Sequence, residues 1–182
     1  MRLLEGHSPD LFLALETDEW WDVELATLDS HMSHKAQRVT GGFFGMHLFS
    51  RLPISETEII FPAEQDAPAI LTNVELPSGD SVYFMGLHPR PPHPGQSSTG
   101  RDAQLMWGAL KARVSDLPAL IAGDLNAVPW ETSIERLQRV GRFIGVGREQ
   151  VEIADQVGIG VQAHVEQIPV VVSAVFATPR VS

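Results

Sequence analysis

Four side chains in this sequence combine types and placements that could do chemistry: Glu16, His88, Asp124 and Asn126. Each lies just beyond an apolar run, Glu16 after "LFLAL", His88 after "SVYFMGL", and Asp124 with Asn126 after "PALIAG". Two carboxylates, an amide and an imidazole, in a chain without cysteine, form a hard, oxygen-rich donor set. Such a set suits Mg²⁺ or Mn²⁺ and suits structural zinc poorly. A cation there would polarise a phosphoryl oxygen and lower the pKa of a bound water. The aspartate would position that water, and the asparagine or histidine would donate hydrogen bonds to charge building up on the phosphorus oxygens. The expected reaction class is metal-assisted phosphoester hydrolysis. Each residue also has a plainer reading. A lone Glu at a strand exit is commonly surface decoration, a His before Pro is commonly a satisfied loop residue, and Asp124 and Asn126 could be turn and cap chemistry.

The elements that must position these residues follow from periodicity. "LFLALE" (Leu11 to Glu16) and "PALIAGD" are short apolar runs of the kind expected for strands buried on both faces. "TDEWWDVELATLDS" places Trp21, Leu25 and Leu28 on one helical face behind acids in its first turn, which predicts a helix from about Asp18 to Asp29. Ser30 to Gly42 is polar and is read as loop. "FFGMHLFS" and "ETEIIF" read as strands, and "AILTNVEL", "PSGD" and "SVYFMGL" form a hairpin signal with Gly79 at the turn. The proline-rich "HPRPPHPGQSSTG" is an ordered loop. Asp102 to Val114 has helix-forming composition, Trp130 to Val140 puts Trp130, Ile134 and Leu137 on one face behind Pro129, and a last strand is expected at Val170 to Ala177.

Composition narrows the class. With 182 residues, 43% of them hydrophobic, the chain is expected to fold as one domain, without repeats or a splitting linker. A net charge of -10 disfavours tight non-specific binding to nucleic acid, so a phosphate-bearing substrate would need a cation from outside. Arg136, Arg139, Arg142 and Arg148 form the densest basic stretch, read first as a solvated helix face and second as a nucleic-acid contact. No apolar run approaches the roughly 18 to 20 residues of a membrane span. The start, "MRLLEGHSPD", lacks a signal peptide's apolar core. The expectation is a soluble chain, cytoplasmic by default.

Five ordered segments then carry a resemblance. "GDLNAVPW" resembles the Gly-Asp-(Phe/Leu)-Asn-Ala-x-Pro-Trp motif of the endonuclease/exonuclease/phosphatase superfamily, in particular the bacterial branch of YafD-like and vancomycin-resistance-associated proteins. "SPDLFLALETDEWW", "FGMHLFSRLPI", "GLHPRPP" and "GRDAQL" are similar to further motifs of that branch, so the likeness covers residues 8 to 143. The resemblance implies that Glu16 ligates a Mg²⁺ or Mn²⁺ ion that Asp124 shares, that Asp124 orients or activates the water, and that Asn126 contacts phosphate and nucleophile. It implies that His88 contacts the scissile phosphate and that Arg101 sits by the substrate or supports the proline-rich loop. The implied fold is α/β, two packed mixed sheets flanked by helices in a four-layer α/β/β/α sandwich. The implied substrate is a phosphoester: nucleic acid, nucleotide or lipid headgroup.

The likeness has gaps. Family members begin with a further strand ending in an Asn near the metal and close with a strand delivering an Asp-His pair. This chain starts past the first, and "IADQV" offers Asp155 with Gln156 where the imidazole belongs. The sandwich is therefore expected to be incomplete, with residues 144 to 182 a divergent tail. The rival expectation is a catalytically inactive, truncated relative that binds phosphate, metal or a partner.

Overall fold

Strand β1 (Leu11–Leu15) is apolar and buried at every position, because its two faces meet two different layers. The computed structural model describes residues 9–63, 66–92, 97–128, 130–145, 160–163 and 172–176. After β1 come α1 (Glu19–Leu25), a 3₁₀ turn (Ala26–Ser30), β2 (His34–Arg38), β3 (Met46–Ser50), β4 (Ile54–Ile60), β5 (Ala69–Glu75) and β6 (Ser81–Leu87). Then follow α2 (Thr99–Val114), β7 (Ala119–Gly123), α3 (Thr132–Gly141), β8 (Ile144–Gly145), β9 (Gly160–Ala163) and β10 (Val172–Phe176).

The strands form two mixed sheets, ordered β10-β1-β3-β2 and β4-β5-β6-β7-β9-β8. Among the described residues, β1 with β10 and β6 with β7 pair in parallel and the other neighbours antiparallel. Side-chain alternation assigns the layers. Leu11, Leu13 and Leu15 of β1 and Met46 and Leu48 of β3 pack against Ile70, Val82, Phe84, Leu120 and Ala122 of the second sheet. Phe12, Ala14 and Phe49 face the other way, onto Leu25 and Leu28 of the first helical segment. On the far side, Leu71, Met85, Leu87 and Ile121 meet Leu105 and Ala109 of α2 and Ile134 and Leu137 of α3. The result is the four-layer α/β/β/α sandwich. Each fully buried Leu or Phe contributes about 1.5–3 kcal/mol, so the three apolar interlayers dominate the stability. Among the described residues no helix is long and apolar enough to cross a membrane.

Three local expectations need correction. Residues 30–42 are not all loop, since β2 pairs antiparallel with β3 at the sheet edge. An edge strand with one buried residue, here Ala36, shows no apolar alternation. The first helix is α-helical only to Leu25 and then tightens into a 3₁₀ turn. Helix α3 begins at Thr132 after Glu131, and Trp130 lies outside it, 76% exposed, so Trp130 anchors nothing. Pro129, Arg148, Asp155 and Gln156 lie outside the described residues.

Candidate active site

The three strand exits flagged by the sequence open onto one edge of the sandwich. Leu87 and Gly123 are register partners in the parallel β6–β7 pair, so His88 and Asp124 leave the second sheet side by side. Gly123 is required there twice over. Its φ is +142°, and a Cβ would lie 1.8 Å from the Leu87 carbonyl oxygen. Glu16 arrives from the other sheet, and its Oε1 lies 3.8 Å from His88 Nε2. The Glu16 carboxyl is raised above its ordinary pKa, first by burial and then by the charge of Asp124. The two acids therefore lie close enough for the charge of one to act on the other, with His88 next to both.

Asp124 is raised as well by burial, an effect opposed by the hydrogen bond that Asn126 N–H donates to its carboxylate. That bond, 2.8 Å long, closes an Asx turn, which holds Asn126 at φ +49°. Asn126 Nδ2 donates to the Pro89 carbonyl at 2.9 Å, joining the Asp124 loop to the residue after His88. His88 is 2% exposed, and burial lowers its pKa to about 4, so at neutral pH it is an uncharged imidazole. The Phe44 ring lies 5.5 Å from it, with the Arg90 guanidinium 5.0 Å from the Phe44 centroid.

Arg101 is brought close, but its donors are turned to the protein. Its guanidinium donates to the Asn126 carbonyl at 2.7 Å, to Asp102 Oδ1 at 2.8 Å and 3.0 Å, and to both carboxylate oxygens of Glu131. With 5% exposure it supports the loop carrying Asp124 and Asn126.

A polar cluster that sequence reasoning missed lies behind Glu16. His47, fully buried in β3, has Nδ1 2.8 Å from Thr17 Oγ1 and Nε2 3.1 Å from Asp22 Oδ1. Gln37, the register partner of His47 on β2, donates to the same Asp22 oxygen at 2.9 Å. Burial lowers the His47 pKa, an effect opposed by the Asp22 hydrogen bond and charge and reinforced by the Lys35 charge. The neutral ring then carries its proton on Nε2, facing the carboxylate, and Nδ1 accepts from the threonine hydroxyl. The available signal was a histidine inside the apolar strand "MHLF", where a buried polar group must find partners.

Four non-glycine residues among those described have positive φ. Glu56 sits at a bulge of β4, and Arg142 is the left-handed cap of α3. The other two, Glu16 at +58° and Asn126 at +49°, belong to this site. For a residue such as Glu this region costs about 1–2 kcal/mol and persists where surrounding contacts over-determine it.

Among the described residues no group of three or more His, Cys, Asp or Glu side chains is placed to hold a metal. Glu16, 3.8 Å from His88, and Asp124, which leaves the sheet beside His88, are nevertheless the oxygen donors that a hard divalent cation takes. Mg²⁺ keeps most of its waters and commonly takes one or two carboxylates together with substrate phosphates.

Comparison with known proteins agrees with this architecture. The fold is similar to the human Nocturnin catalytic domain with bound sulfate (TM-score 0.68, 16% identity, 88% of this chain and 71% of that one). It is also similar to sphingomyelinase C from Streptomyces griseocarneus (TM-score 0.60, 15% identity, 74% and 57%) and to humanized D. rerio TDP2 (TM-score 0.62, 20% identity, 74% and 55%). The chain thus spans a little over half the length of the latter two structures. No curated protein sequence matches it significantly. The Endonuclease/Exonuclease/phosphatase family model matches residues 1–170, beyond the 8 to 143 covered by the motifs at both ends. With the sandwich and the strand-exit acids in place, that match establishes that the chain belongs to the Endonuclease/Exonuclease/phosphatase family.

Proposed function

We propose that the chain hydrolyses a phosphoester bond with the help of a divalent cation of the Mg²⁺ or Mn²⁺ type, held by Glu16 and Asp124. The observation that carries this reading is the meeting of the two acids: Asp124's charge raises the Glu16 carboxyl, and neutral His88 lies 3.8 Å from Glu16. A bound cation would offset the carboxylate repulsion and polarise a phosphoryl oxygen. Asp124, as its carboxylate, accepts a proton from the water that attacks phosphorus. Asn126 has a second amide N–H beyond the one given to Pro89, and the neutral His88 imidazole carries a further one. These donors meet the charge that grows on the non-bridging oxygens. Arg101, its guanidinium engaged by Asn126, Asp102 and Glu131, acts by holding that loop. Substrates to test are a nucleotide or nucleic-acid phosphodiester and a phospholipid headgroup.

Hydrolysis of bis(p-nitrophenyl) phosphate, with Mg²⁺ or Mn²⁺ added, tests the reading. Glu16→Ala and Asp124→Ala should each lower the rate by about 10²–10⁴-fold, the usual loss for a positioned acid or base. Wild-type rates in both variants would end it. Metal binding without turnover in the wild type would favour the non-catalytic module.

A further inference from the structure

The buried cluster behind Glu16 takes no part in the proposed reaction, yet through His47 it is bonded to Thr17, the residue that follows Glu16. We infer that Thr17, His47 and Asp22 form a positioning relay that fixes the left-handed backbone of Glu16 and so aims its carboxylate toward His88. The metal role of Glu16 rests on the proposed function above; the backbone restraint does not.

Three features carry the inference. First, His47 sits at the centre of its sheet, between register partners Ala14 and Gln37, on the same face as Phe49, whose ring stacks on it at 6.1 Å. An apolar side chain would fill that place without the cost of desolvating two ring nitrogens. Both nitrogens are satisfied, one by Thr17 and one by Asp22.

Second, Thr17 is tied three ways. Its hydroxyl bonds His47, its amide donates to the Gly45 carbonyl at 3.2 Å, and its own carbonyl lies so near Gly45 that a Cβ there would come within 1.6 Å of the oxygen. A residue held at side chain, amide and carbonyl leaves its predecessor little freedom in ψ. Third, Asp22 gathers donors from two strands, His47 from β3 and Gln37 from β2, and so fixes α1 against both. The polar edge strand β2 thereby has a reason to be there. Asn tolerates a left-handed backbone through its own short amide; Glu has no such local aid and depends on its neighbours.

Isotope-labelled full-length protein provides the test. The ¹³Cα and ¹³Cβ shifts of Glu16 and its amide coupling report the sign of φ without any metal present, and Mn²⁺ titration reports the consequence. Thr17→Val keeps the volume but loses the hydroxyl, and Asp22→Ala changes a side chain that is 41% exposed, so both should fold. Each is expected to move the Glu16 shifts out of the left-handed range and to weaken Mn²⁺ binding by about 10- to 100-fold, the usual effect of losing a contact behind a ligand. Thr17→Ser, which keeps the hydroxyl, should retain both wild-type properties. Unchanged left-handed Glu16 shifts in folded Thr17→Val and Asp22→Ala overturn the relay, whatever Mn²⁺ does. Wild-type Mn²⁺ affinity in Glu16→Gln would instead remove the metal reading of Glu16 and leave the backbone measurement to decide the relay.

Discussion

The two sides of the candidate site hold a strained residue each, by opposite means. On the Asp124 side, Asn126 at φ +49° is fixed by an Asx turn and by the guanidinium of Arg101, which is itself held between Asp102 and Glu131. On the Glu16 side, a residue at φ +58° is backed by neutral groups, the Thr17 hydroxyl and the His47 imidazole, with one half-exposed acid at the end. The first clamp is ionic, built on a cation that does not titrate in the working range, and the second depends on the protonation state of a buried histidine. The same strain can thus be maintained by two networks that fail under different conditions.

The sharpest way to break the comparison is Arg101→Ala. Removing the guanidinium leaves the Asn126 carbonyl and the Glu131 carboxylate without this donor and Asp102 with the Ser98 hydroxyl alone. Because those carboxylates are partly exposed, the loss is expected near the lower end for a broken buried pair, about 3 kcal/mol in urea denaturation. The drop should be of similar size at pH 7 and pH 5.5, since the lost cation does not titrate. A loss under about 1 kcal/mol would mean that the ionic clamp holds little.

Acid should act through the buried histidines, His88 beside Asp124 and His47 behind Glu16. His88 has a folded pKa of about 4, below its ordinary 6.5. The unfolded chain therefore binds a proton that the folded chain refuses throughout that window. Its contribution is fully present above about pH 6.5 and is lost progressively as pH falls, the loss reaching about 3 kcal/mol by the folded pKa of about 4. The lowered His47 pKa adds loss in the same direction. The raised Glu16 and Asp124 carboxyls work the other way, their stabilisation being present at low pH and lost as pH rises. Denaturation of metal-free protein should show a net fall between pH 6.5 and 5 that flattens where the carboxyls protonate. A curve that rises on acidification in that interval would contradict the depressed histidines.

The smallest effect is expected at Trp130. It lies between Asn126 and α3 but is 76% exposed, so Trp130→Ser should change stability by no more than about 0.5 kcal/mol. A larger loss in thermal melting would return it to the apolar helix face on which its spacing with Ile134 and Leu137 placed it.

These outcomes bear on what could be read beforehand. The ionic side was legible: "GDLNAVPW" and "GRDAQL" place Asp124, Asn126 and Arg101 in local, recognisable patterns, and an Asx turn is a short-range event. The neutral side was not, because Thr17, Asp22, Gln37 and His47 meet only after β2, β3 and α1 have folded onto β1. Strand β2 was missed for the same reason, its partner being β3 rather than any pattern of its own. The donors of Arg101 were open to two readings until its neighbours were in place.

By itself, then, the sequence determined the buried strands, the hairpin at Gly79, and the chemical character of a hard, cysteine-free donor set, because each depends on residue type and on spacing within a few residues. What packing alone settles is that Asp124's charge reaches Glu16, that His88 is buried and neutral, and that His47, one strand over in the sheet that leads to Glu16, bonds Thr17. Desolvation and the mutual field of two charges depend on distances between segments far apart in the chain. Those distances are fixed when the two sheets pack.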